Sequence, residues 1–146
     1  MNFIHRTGTF FRISREERIL FLKALYLLLI WKLRILILPM PAYVKFFGNK
    51  GIEESNTDET YSKYIRMIQA AVHRADSVLP WKSKCLTEAI TTKRLLDRKN
   101  IKTTLFLGVA KDEQQKLIAH AWVRWGERII SGERGYEKFT VVQKFT

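Results

Sequence analysis

The chain has 146 residues, room for one ordinary domain and not two, and its 47% apolar and 12% aromatic content excludes global disorder. A single cysteine excludes an internal disulfide framework, and one thiol with three histidines argues against a structural zinc site. Lys and Arg number 26 against 14 Asp and Glu, a net charge of +12 that calls for an anionic partner without naming one.

The excess charge is concentrated at the front. Residues 1–50 carry nine Lys/Arg and two Asp/Glu, whereas the remaining two thirds are only mildly basic. No zinc-finger, RNA-recognition or homeodomain pattern accompanies the charge, so nucleic acid is not the expected partner.

Ser14 with Glu17 three residues later forms a capping-box pattern, and Glu16 and Glu17 favour a helix N-terminus. The spacing predicts a long helix through Ile19–Leu38 towards Pro39. Its longest uncharged stretch, Ala24 to Trp31, is far short of the roughly twenty apolar residues that span a bilayer, and Lys23, Lys32 and Arg34 interrupt the run. No small-residue cleavage site follows, as a secretory signal would need. Being apolar on nearly every side, this helix should be buried against the rest of the chain, a partner protein or a bilayer surface.

Residues 48–60 form a polar break. The chain therefore divides into a basic apolar helical segment (1–50), a linker loop (51–60) and a core (61–146). Tyr64, Ile65, Ile68, Ala71, Val72 and Ala75 predict a helix ending before Leu79-Pro80. A second helix starts near Lys84 or Cys85, ends around Arg98–Asn100, and presents Leu86, Ala89, Ile90, Lys93 and Leu96 on one side.

The final third changes to strand period. Strands are expected over 103–109, Leu117–Trp125, Arg128–Ser131 and 139–145, with an exposed turn at 111–116 and another at Gly126-Glu127. Helices followed by an antiparallel meander give an α+β fold.

One constellation carries chemistry. Cys85 stands at a predicted helix start with Lys82 and Lys84 close by, a setting that favours the thiolate. His120 lies mid-strand, in Ala119-His120-Ala121-Trp122-Val123. A helix-terminal Cys facing a strand His is the arrangement of cysteine peptidases and transglutaminases, because an imidazole must reach the sulfur. The same residues also fit a small buried thiol and a satisfied strand histidine.

The context is more specific. Pro80-Trp81-Lys82-Ser83-Lys84-Cys85-Leu86, then Ala89, Leu95-Leu96, Leu105-Phe106-Leu107-Gly108-Val109 and Ala119-His120-Ala121-Trp122-Val123 resemble the lasso peptide leader peptidases. The Leu-rich basic helix over Ile19–Leu38 is similar to their N-terminal segment. This resemblance implies a transglutaminase-like, papain-related cysteine protease core. It implies an endopeptidase that removes the leader from a ribosomally made precursor, with no metal and no cofactor of its own. Cys85 carries over as nucleophile and His120 as general base, and the implied partners are the precursor leader, a leader-recognition protein and an ATP-dependent lasso cyclase. A catalytic thiol needs a reducing compartment, so a cytoplasmic location is expected, with peripheral membrane contact left open. The basic helix is expected to meet the leader–recognition complex or to lie against the core beside it.

Members of that family usually carry an Asp on the strand after the His, and this chain has no Asp after Asp112. Hairpin register offers two substitutes. His120 lies opposite Ser131 if Trp125-Gly126 turn, and opposite Glu133 if Gly126-Glu127 turn. A carboxylate orients and stabilises an imidazolium better than a hydroxyl, which favours Glu133 as third catalytic residue. A transglutaminase-like acyl transferase and a non-catalytic adaptor for a partner or an anionic membrane remain the alternative functions.

Overall fold

The computed structural model describes residues 13–51, 53 and 57–146. Helix α1 (Arg15–Ile37) starts at the expected capping box: Glu17 N donates to Ser14 Oγ at 3.2 Å, and Ser14 N donates to a Glu17 carboxylate oxygen at 3.0 Å. That second bond, from the Ser14 backbone, holds the Glu17 carboxyl below its usual range. Helix α1 ends before Pro39, which cannot continue the hydrogen-bond ladder, and a short helix α2 (Met40–Val44) follows. Helices α3 (Ser62–Val78) and α4 (Cys85–Asp97) match the predicted pair, and Leu79-Pro80 separates them.

Strands β1 (Thr104–Lys111), β2 (Leu117–Trp125), β3 (Arg128–Ser131) and β4 (Thr140–Phe145) form one antiparallel sheet in the order β3-β2-β1-β4. Only the first three strands are a meander. The last returns to the far edge and pairs with β1, because Phe145 seats its ring 5.3 Å from that of Phe47, behind α2. The polar break is tied down at this edge: Asn49 and Thr146 exchange backbone bonds of 2.9 and 3.0 Å, and Lys50 bridges to Phe145. Within the proposed 51–60 linker, residues 52 and 54–56 lie outside the described residues. Asp58 caps a 3-10 turn over Glu59–Tyr61.

Helix α4 lies on one face of the sheet, α3 reaches β3 beside it, and α1 packs on α3 and α4, all around a single core. Leu20, Ala24, Leu27, Leu28 and Trp31 of α1 join Ile65, Ile68 and Val72 of α3, Ile90, Leu95 and Leu96 of α4, and Leu105, Ala121 and Val123 of the sheet. Helix α1 thus contributes to the same core as the helices and strands of 61–146. Helix α4 is buried on more than the one predicted side: Thr87, Thr91, Thr92 and Leu95 are inside as well. The Lys93 ammonium donates to Asp97 at 3.1 Å and to the Thr103 carbonyl at 3.3 Å, which makes its burial tolerable.

Candidate active site

Cys85 is the first residue of α4, after the extended Lys84. Position alone leaves the first-turn N–H groups of Cys85 and Leu86 without helical acceptors, so they point free donors towards whatever binds there. The preceding loop is anchored from α3, where Asp76 Oδ1 accepts from Ser83 N at 2.8 Å. In the same loop, Trp81 Nε1 and Ser83 Oγ are buried with no hydrogen-bond partner among the described residues. The thiol itself is half-buried and packs at the margin of the core, within reach of solvent.

Strand β2 packs on α4, so the two elements that carry Cys85 and His120 are direct neighbours, although no hydrogen bond joins the two side chains among the described residues. Along β2, Ala121, Val123 and Trp125 enter the core, while His120 and Trp122 alternate to the other face. The His120 ring rests between Trp122 and Phe139, with centroids 6.0 and 5.0 Å away. Gly108 lies directly across from His120 on β1. A Cβ there would fall 2.8 Å from the Trp122 ring and 2.9 Å from Phe139, so the absence of a side chain admits both aromatics beside the imidazole.

The expected third residue is placed otherwise. His120 Nε2 lies 2.8 Å from the carbonyl oxygen of Gly132, between the two candidates Ser131 and Glu133, and neither of their side chains holds the ring. The turn is Gly126-Glu127, as one of the two registers required. However, Arg124 pairs with Ile129 and Val123 with Ser131, so an irregularity at Ile130 shifts the ladder by one and removes Glu133 from its predicted place. Gly132 then leaves the strand with φ of +74°. A carbonyl only accepts, so Nε2 carries the proton and Nδ1 of the neutral ring is left as the basic nitrogen.

Behind this bond lies a cavity of about 130 Å³ shared by Gly132, Ser131, His73, Asp76 and Glu88. Glu88 stands one turn after Cys85, and burial, reinforced by the negative Asp76, raises its carboxyl to about 7. Sequence reasoning had no means of finding Asp76, Glu88 or the Gly132 carbonyl: the two acids sit on helices that meet only in the fold, and a backbone acceptor has no residue signature. Among the described residues, no group of three or more His, Cys, Asp or Glu is arranged to hold a metal ion. No helix among them is long and apolar enough to cross a membrane.

Helices followed by a four-stranded antiparallel sheet, with Cys85 at the start of the helix that packs on β2, form an α+β architecture of the transglutaminase-like kind. The profile of the transglutaminase-like superfamily matches residues 45–144, and the chain belongs to that superfamily, whose members are typically cysteine proteases and acyl transferases. No curated protein and no solved structure matches the chain.

Proposed function

We propose that the protein is a cysteine endopeptidase that removes the leader of a lasso peptide precursor. What supports this reading is membership of the transglutaminase-like superfamily, with Cys85 at the start of α4 and His120 on β2, the strand packed on α4. The His120–Gly132 bond fixes the proton on Nε2 and leaves Nδ1 as the basic nitrogen. In the proposed step Nδ1 takes the thiol proton and the thiolate adds to the scissile carbonyl. The Cys85 N–H, free at the start of α4, donates to the oxyanion. The imidazolium then gives its proton to the departing amine, the new N-terminus of the core peptide. The leader acyl group remains on sulfur as a thioester until water, deprotonated at Nδ1, releases the leader carboxylate and the thiol.

A seat for an extended peptide supports this reading. Strand β3 pairs with β2 only over Val123–Trp125 and Gly132 lies against Ala121, so the stretch of β2 from Leu117 to Ala119 has no strand on that side among the described residues. A leader segment added there in extended form would gain backbone hydrogen bonds beside His120. In this proposal a leader-recognition protein delivers the precursor and a lasso cyclase takes up the released core.

The test uses a precursor encoded beside this chain, its recognition protein and water enriched in oxygen-18, with products read by mass spectrometry. Hydrolysis places the label in the leader carboxylate. A leader acyl group found instead on an added primary amine supports the acyl-transferase alternative, and an intact precursor under all conditions overturns both.

A further inference from the structure

Helix α1 is apolar on two opposite sides, and only one faces the core. Ile19, Leu22, Tyr26, Leu29, Leu33 and Leu36 recur at alternating steps of three and four, which aligns them in one stripe, and each is between 37% and 68% exposed. The stripe continues at the helix end through Ile37, Leu38 and Met40, all exposed. Lys23 and Lys32 flank it on either side, and no acidic residue occurs between Arg18 and Ile52.

Beside this stripe, between α1 and the end of α4, opens a cleft of about 430 Å³ bordered by Tyr26, Trp31, Arg34, Arg94, Asp97 and Arg98. Its charge is strongly positive, because Asp97 is already paired with Lys93. The Arg34 guanidinium lies 5.0 Å over Trp31 and 5.2 Å over Phe46, which fixes its plane and leaves its edge donors for an anion. Trp31 is 1% exposed, and its indole N–H has no partner among the described residues. A buried donor without an acceptor is costly, and this one belongs to a residue that lines the cleft.

We infer that this face of the protein docks on an anionic phospholipid surface, with a headgroup phosphate in the arginine cleft and the stripe of α1 at the acyl boundary. The charge pattern argues against a second copy as occupant, since two such stripes would oppose Lys23 and Lys32 to further cations. The one polar group of the stripe is the Tyr26 hydroxyl, which suits a fluid apolar layer better than the polar rim of a protein interface. With a length of about 34 Å, the helix would lie in the plane of the surface.

The test is co-sedimentation of the full chain with vesicles of phosphatidylcholine alone or mixed with phosphatidylglycerol, at about 0.1 M salt, where charges are screened beyond roughly 10 Å. Binding is expected only to the mixed vesicles. Each basic group near such a surface contributes about fivefold, so Arg94→Gln with Arg98→Gln should weaken binding about thirtyfold. Leu22→Ser with Leu33→Ser, both on exposed positions, should abolish it with an unchanged circular dichroism melt. The exposed Arg98→Gln alone serves if the double variant unfolds, and should weaken binding about fivefold. Equal binding to both vesicles, or variants that bind like wild type, overturns the inference. So does wild type that ignores vesicles yet binds inorganic phosphate or an acidic peptide.

Discussion

The carbonyl oxygen of Gly132 accepts a hydrogen bond from His120 Nε2 at 2.8 Å, so a backbone atom does the orienting that a carboxylate side chain was expected to do. Gly132 is bound to this role by its conformation. At φ of +74° a Cβ would press into Ala121 O and lie 2.9 Å from Trp122 Cβ. Gly132→Ala should therefore turn the carbonyl away, destabilise the fold by about 1–3 kcal/mol and lower cleavage more than tenfold. Glu133→Gln should stay within about twofold of wild-type rate, on the same general-base scale that assigns larger losses to groups on the ring. The pair of rates, with urea unfolding of both variants, checks the assignment; a greater loss from Glu133→Gln would return the role to that carboxylate.

Glu88 gives the fold a pH dependence. Its carboxyl is raised from 4.5 to about 7 by burial first and Asp76 second. The folded state therefore favours the protonated form: the stability this contributes is complete below pH 4.5 and is lost as pH rises through about 7. Glu88→Gln should match wild type below pH 4.5 and exceed it at pH 8 by about 1 kcal/mol, once solvent screening of this half-buried group is allowed for. Urea titrations at several pH values decide it, and parallel curves for the two proteins would contradict the account.

The buried ion pair on α4 should be asymmetric. Lys93 is 4% exposed while Asp97 is partly solvated. Removing the acid with Asp97→Ala strands an ammonium with only the Thr103 carbonyl and should cost about 2–3 kcal/mol, whereas Lys93→Met should cost less than about 1. Thermal unfolding of both variants is the measurement, and equal losses would show the pair to be inert.

Helix α1 should prove indispensable to the fold. Leu28 and Ala24 are fully buried against α3 and α4, so Leu28→Ala should cost about 3 kcal/mol and a chain starting at Tyr61 should aggregate. A soluble, cooperatively folded truncation would show that the core closes without this layer.

Much of this architecture is written in local signals. Ser14 with Glu17 marks the start of α1, Leu79-Pro80 the break before Cys85, and the alternation from Leu117 to Trp125 the whole of β2. What escapes the sequence is non-local. The return of β4 to β1 depends on Phe145 finding Phe47, nearly a hundred positions away in the chain. The irregularity at Ile130 moves Glu133 out of register by one residue, and no turn chemistry announces it. Helix α1 is apolar on both sides, so periodicity alone does not say which stripe meets the core.

The central claim is that Cys85 is the nucleophile. The most direct measurement is cleavage of the precursor by wild type and by Cys85→Ala, with the fold of each verified by circular dichroism. Since this variant removes one sulfur at the start of α4, it should melt like wild type and lose at least about a thousandfold in rate, the scale of a lost covalent route. A folded Cys85→Ala that still releases the leader at an appreciable fraction of the wild-type rate would contradict the account.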